Sequence, residues 1–137
     1  MFKAMCRILA ISTIFLIAVN AMARDLPKGA WWTEPSVIKT LNLSNNEVTQ
    51  LEEAFAEWRL NIGLLKGEIQ VSQHKINEWM ARNSSNPQGK ERIIRKLRGK
   101  IEKARSLLPK TKPAYVDKVR AILGPARFET LVDLEPL

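Results

Sequence analysis

Few residues of the chain offer the chemistry that an active site needs. The only histidine is His74, and the only cysteine is Cys6. Nucleophilic catalysis needs several such groups held together, and neither a Ser-His-Asp set nor a Gly-rich phosphate loop after a strand can be assembled. His74 and Glu78 could share one helix face, but two ligands are too few for a transition-metal site. The sequence therefore predicts no enzymatic site, no cofactor and no metal centre.

The chemistry that the sequence does offer is that of binding through apolar and basic side chains. Leu60, Leu64 and Val71 are spaced so that one helix face would carry all three. Residues 90–105 contain eight basic side chains against two acidic ones. Some of these cations should point away from the helix with which this segment pairs, and others should flank the contact between the two helices. The predicted partner-binding set is Leu60, Leu64, Val71, Arg92, Lys96, Arg98, Lys103 and Arg105.

A long helix must position the apolar members of this set. Ser44 is followed three residues later by Glu47, a capping box, and Leu43 with Val48 forms a hydrophobic staple around it. The helix should run from Asn45 to about residue 82, with a heptad-like apolar seam as in a coiled coil. The second stripe lies opposite that seam, so one helical partner cannot cover both. The pattern favours a third element, a ligand protein or a second subunit, most simply a two-fold homodimer.

A second helix should carry the basic residues. Asn86 and Pro87 suit an N-cap and a first helical position, and a new 3,4 apolar pattern follows. The two helices should pair as an antiparallel hairpin. Pro109 and Pro113 predict a break, followed by two short helices over residues 115–123 and 126–134. With a short N-terminal helix after two tryptophans and no strand pattern, the predicted class is all-α.

The first residues predict export. Lys3 and Arg7 precede an apolar run over residues 8–19, and Ala23 ends a small-x-small sequence. We expect a signal peptide at residues 1–23, cleaved after Ala23, and one helical-hairpin domain over residues 24–137. An uncleaved anchor is the alternative, although about 12 apolar residues are few for a bilayer span. Cleavage would remove Lys3 and Arg7 and lower the net charge from +8 to +6. Export to the periplasm favours acidic proteins or anionic membrane surface as partners of this basic chain, and not nucleic acid.

The order of these features resembles the Spy/CpxP family of periplasmic helical-hairpin proteins, whose hallmark is a pair of L-T-x-x-Q boxes. Leu43, Ser44 and Glu47 fit the first box, whereas Leu123 and Pro125 are the only residues that fit the second. Gly124 has no side-chain acceptor and Arg127 cannot make the return bond of a glutamine, so the helix after the second box should be poorly capped.

The resemblance implies one of two roles. The first is an ATP-independent chaperone that binds unfolded or acidic proteins. The second is a regulatory ligand of an envelope-stress or heavy-metal sensor, with that sensor's ectodomain as its partner. A third possibility, which does not depend on the resemblance, is an exported helical protein that associates only with itself. In each case no stable membrane insertion is expected and a homodimer is the expected state.

Overall fold

The structure, a computed structural model, describes residues 25–134, and within that range it is helical with no strand. The predicted signal peptide and cleavage point lie outside the described residues. A 3₁₀ turn at Trp31–Thr33 precedes α1 at Pro35–Leu41, α2 at Asn45–Ala81, α3 at Pro87–Leu123 and α4 at Pro125–Asp133. The prediction of an all-α helical hairpin is confirmed. A dimer is not part of this single-chain structure and stays a prediction.

The start of α2 is fixed by the capping box that the sequence predicts. The Ser44 hydroxyl accepts from the Glu47 backbone N–H at 3.1 Å, and the Ser44 N–H donates to the Glu47 carboxylate at 3.1 Å. Just before it, Asn42 adopts a left-handed conformation (φ 50°) that ends α1. The box therefore separates two helices within three residues and sets where the long helix begins.

Helices α2 and α3 are each 37 residues long, about 55 Å at 1.5 Å per residue. The turn between them is closed by local polar contacts. Asn86 caps α3 by accepting from the Gly89 N–H at 3.0 Å. Lys90 Nζ donates to the carbonyls of Met80 and Arg82 at 3.1 and 2.9 Å, which satisfies acceptors that the end of α2 leaves open.

The predicted break at Pro109 and Pro113 is wrong, because α3 continues through both prolines to Leu123. Both proline rings lie on the exposed side of α3, where water can solvate the carbonyls that lose a backbone donor. On the buried side, Ala104 and Tyr115 pack inward, and this burial offsets a penalty of about 3 kcal/mol per proline. Residues 115–123 therefore end α3, and α4 is the one short C-terminal helix described.

The core consists of two separate clusters. The larger one, the base cluster, lies where the 3₁₀ turn, α1 and α4 pack against the open end of the hairpin, and its buried members are Trp31, Trp32, Val37, Leu41, Leu43, Leu51, Ala54, Tyr115, Val119, Leu123, Phe128 and Leu131. The smaller one, the tip cluster, contains Ile76, Leu97 and Ile101 near the turn. The base cluster contains residues from both ends of the described chain, whereas the tip cluster contains residues of α2 and α3 alone.

Candidate functional site

Between the two clusters the hairpin is an arm in which, among the described elements, α2 and α3 pack only on each other. No described residue from 59 to 114 belongs to the base cluster. Even the seam of this arm is incompletely covered, since Ile62, Leu65 and Ile69 are only half-buried. A two-helix arm has a large exposed perimeter, and its outer surfaces are therefore available for binding.

The apolar residues predicted to bind a partner lie on the outer side of α2. Leu60, Leu64 and Val71 are 61%, 63% and 51% exposed. They face away from the seam because their spacing places them about half a turn from Leu51 and Ile76. We call this surface the α2 edge. Its leucines are the most exposed large apolar side chains that the structure describes.

The predicted basic residues divide into two groups on α3. Arg92, Lys96 and Lys103 point away from α2, as expected, and Lys110 continues their line. No described carboxylate lies within 4.0 Å of these four cations. We call them the α3 edge. Because their charge is unpaired within residues 25–134, an acidic partner would gain the full attraction.

The remaining two predicted cations lie apart from this edge. Arg105 contacts Glu102 on its own helix at 3.8 Å. Arg98 lines a shallow depression near the turn together with Met80 and Ile94. Both flank the seam, as the sequence predicts, but Arg98 and Arg105 lie on a different side of α3 from the unpaired cations. They are therefore weaker candidates for partner binding.

Within one chain, the structure does not bring the apolar and basic candidates together. The α2 edge and the α3 edge are each opposite the seam of their own helix, so the full width of the hairpin separates them, about 20 Å for two helices. A single chain therefore does not place the leucines of the α2 edge beside the cations of the α3 edge. A ligand that touches both edges must cross the arm or bridge two copies.

The two boxes meet at the base, through a contact that the sequence does not predict. Arg127 pairs with Glu47 through two hydrogen bonds, one of them Nη1 to Oε1 at 3.0 Å. Its Nε donates to the Leu123 carbonyl at 2.8 Å. The Arg127 hydrogen bonds, followed by that from Ser44, lower the pKa of Glu47 from the usual 4.5 to about 2. Glu47 thus belongs both to the capping box of α2 and to the ion pair with Arg127 of α4.

The start of α4 is poorly capped, as predicted. Gly124 holds a positive φ of 78° and supplies no side-chain cap. Leu123 is buried in the base cluster and Pro125 is the first residue of α4. The second box thus lacks a side-chain hydrogen bond that would cap α4. The Arg127 contacts replace it and join α3, α4 and the start of α2.

Aromatic side chains pack the N-terminal segment against the hairpin. Trp32 packs edge-on against Phe55 at 5.1 Å between ring centroids, and Trp58 stacks on Tyr115 at 4.7 Å. The Trp58 indole N–H also donates to the Thr111 hydroxyl at 3.3 Å. Burial raises the pKa of Tyr115 to about 12. Trp31 and Trp32 are 3% and 2% exposed, and both belong to the base cluster.

The pair His74 and Glu78 lies on the exposed surface of α2, with Nε2 and Oε1 3.4 Å apart. Within residues 25–134, no three His, Cys, Asp or Glu side chains are grouped as metal ligands. In the same range, no helix has both the length and the apolar content to cross a membrane.

Comparisons of the chain with protein-family models, with curated proteins and with solved structures give no match. The resemblance to the Spy/CpxP family therefore rests on the sequence features alone and stays a prediction.

Proposed function

We propose that this protein is an ATP-independent, chaperone-like binding protein of the periplasm that holds unfolded or acidic segments of other proteins on its hairpin arm. The observation that carries the proposal is the exposure of Leu60 and Leu64, both above 60%, on an arm that no third helix within residues 25–134 covers. Single exposed leucines are common on protein surfaces, but Leu60, Leu64 and Val71 lie in one stripe, and a contiguous exposed apolar patch is typical of a binding surface.

The charge of α3 supports the same role. The four cations of the α3 edge lie along about 27 Å of helix, and they would attract acidic segments over about a Debye length, roughly 10 Å at moderate salt. Contact with the α2 edge would then retain the client. Since the edges lie on opposite sides of an arm about 20 Å wide, a segment that touches both must pass over one face of the arm and needs more than about six extended residues. An unfolded client can adopt that path, whereas a rigid globular surface cannot.

A light-scattering assay of an aggregating acidic client tests the proposal. The protein at stoichiometric concentration and low salt should suppress aggregation, and Leu60→Gln with Leu64→Gln should weaken client affinity about 30-fold. That factor corresponds to about 2 kcal/mol for losing two partly buried leucine contacts. Met80→Gln is the matched control, because Met80 is 58% exposed but lies near the turn. Equal suppression by the double variant and wild type would contradict the proposal.

The second candidate is a regulatory ligand of a sensor ectodomain. The α3 edge favours it, because a fixed row of unpaired cations suits one acidic surface of matching length. Lys96→Glu with Lys103→Glu should then abolish capture of a single membrane protein from envelope extract, while Lys28→Glu with Lys39→Glu, the same charge change outside the arm, should not. Recovery of many unfolded proteins through the α2 edge would instead favour the chaperone-like role.

A further inference from the structure

The α3 edge carries positive charge with no acid beside it. Its four cations lie on one side of the helix between residues 92 and 110, and all four are exposed. The nearest acids along α3 are Glu91 and Glu102, which lie about a quarter turn away around the helix. There they contact Arg95 at 2.8 Å and Arg105 at 3.8 Å. Within the described residues, a surface that approaches this side of the arm therefore meets cations and no carboxylate.

The residues between these cations are small. Gly99 and Ser106 lie on the same side of α3, and Leu107, at its margin, is only 37% exposed. The stretch from residue 92 to residue 110 contains no aromatic residue. The long lysine and arginine side chains therefore project beyond their neighbours, and their charged ends are the first groups that an approaching surface meets.

The row of cations is long and follows the helix axis. Lys96, Lys103 and Lys110 are seven residues apart, which is about 10.5 Å for each step, and Arg92 extends the row to about 27 Å. Because the row runs along one side of a helix, a plane can touch all four cations at once. The headgroups of an anionic membrane form such a plane. They impose no fixed spacing on the cations, because lipids move within the membrane.

The composition of the α3 edge favours a membrane over other anionic partners. Lysine and serine are depleted in protein–protein interfaces, whose binding energy is concentrated in buried aromatic and arginine side chains. Three of the four cations are lysines, and no large side chain beside them could be buried by a protein partner. Single-stranded nucleic acid requires aromatic side chains for stacking. Attraction of lysines to a charged lipid surface requires neither kind of anchor.

We propose that the arm adsorbs onto anionic phospholipid membrane along the α3 edge. Only the charged ends of the cations contact the headgroups, so no apolar side chain has to enter the membrane. The α2 edge would then face away from the membrane, about 20 Å from the headgroups, with Leu60 and Leu64 in water. The inference goes beyond the proposed function and does not depend on client binding.

The number of cations sets the strength of adsorption. Each lysine or arginine near an anionic membrane strengthens binding about fivefold, so four cations should give a preference of about 1,000-fold over a neutral membrane. The attraction extends over about a Debye length, which is about 3 Å at 1 M salt. Adsorption should therefore be tight at low salt and lost at about 1 M salt.

Cosedimentation with vesicles tests the proposal. The exported protein is mixed at low salt with vesicles of phosphatidylcholine alone or with an equal part of phosphatidylglycerol, and it should bind only the mixed vesicles. Lys96→Gln with Lys103→Gln should weaken this binding about 30-fold, because two of the four cations are lost. Lys28→Gln with Lys39→Gln is the matched control. It removes the same charge outside the arm and should weaken binding less than about threefold.

A second measurement locates the contact on the unaltered protein. Acetylation of lysine amines, followed by mass spectrometry, should slow at Lys103 and Lys110 when mixed vesicles are present. Lys75, which is exposed on α2, should react at an unchanged rate. Leu60→Gln with Leu64→Gln should bind the vesicles like wild type, since the α2 edge faces away from them.

Five results would overturn the proposal. The first three are equal binding to neutral and mixed vesicles, binding that persists at about 1 M salt, and equal weakening by the two lysine variants, which would show that only net charge matters. The fourth is loss of binding in the leucine variant, which would assign the contact to the α2 edge. The fifth is binding of polyglutamate through the α3 edge without binding of vesicles, which would assign this edge to acidic proteins. Because the vesicles contain no client, these results are distinguishable from failure of the proposed function.

Discussion

The ion pair between Glu47 and Arg127 should make the stability of the base depend on acid. Glu47 is 19% exposed and Arg127 is 34% exposed. A fall in the Glu47 pKa from 4.5 to about 2 corresponds to about 3 kcal/mol of stability. Because water reaches the arginine, screening reduces this to about 1–2 kcal/mol.

The direction of the pH effect follows from the lowered pKa. The unfolded chain takes up a proton on Glu47 near pH 4.5, whereas the folded chain resists protonation until about pH 2. The contribution is therefore complete above pH 4.5 and is lost as the pH falls toward 2. At pH 3, less than half of it should remain.

A double-mutant cycle measures this contribution. Urea unfolding at pH 7 and pH 3 is followed for wild type, Glu47→Gln, Arg127→Met and the double variant. Glu47→Gln is chosen because the amide oxygen can still accept the Ser44 N–H, so the substitution removes mainly the charge. The coupling energy should be about 1–2 kcal/mol at pH 7 and at least halve at pH 3. A coupling below about 0.3 kcal/mol at pH 7, or one unchanged by pH, would refute the reasoning.

Four further substitutions test the base and the arm separately. Trp32→Ala should cost about 3–5 kcal/mol in urea unfolding, because Trp32 is 2% exposed, whereas Leu64→Ala should change stability by less than about 0.5 kcal/mol. Pro113→Ala should restore a backbone donor within α3 and raise stability by about 2 kcal/mol in thermal unfolding. Tyr115→Phe should remove part of the stability loss between pH 10 and 12, because the folded chain holds the Tyr115 proton up to a pKa of about 12.

Local signals predicted the helix starts well. The Ser44 box predicted the first residue of α2, and Asn86 with Pro87 predicted the start of α3. Both depend on contacts between residues three apart, which any reader of the sequence can find. The α2 end was predicted within one residue for a similar reason, since a polar loop follows it. The exposure of Leu60 and Leu64 also follows from helical spacing alone.

The errors arose where distant packing competes with local preference. Pro109 and Pro113 are helix breakers by themselves, but α3 continues through both while it packs against α2 and the base cluster. The Arg127 contact with Glu47 joins residues 80 positions apart, and only the position of Arg127 in the second box singles it out. Separation of the apolar and basic candidates onto opposite edges requires knowing both helix faces at once, which the periodicity of one helix does not provide.

The division of the core into two clusters has a consequence for the order of folding. The tip cluster joins Ile76 with Leu97, a loop of about 20 residues, whereas the base joins Trp31 with Leu131, about 100 residues apart. Closing the longer loop costs about 1.4 kcal/mol more entropy. We expect the tip cluster to form first during folding and the base cluster to form last. A chain truncated before α4 would then keep the tip cluster folded, while its tryptophans would no longer be packed in a complete base cluster.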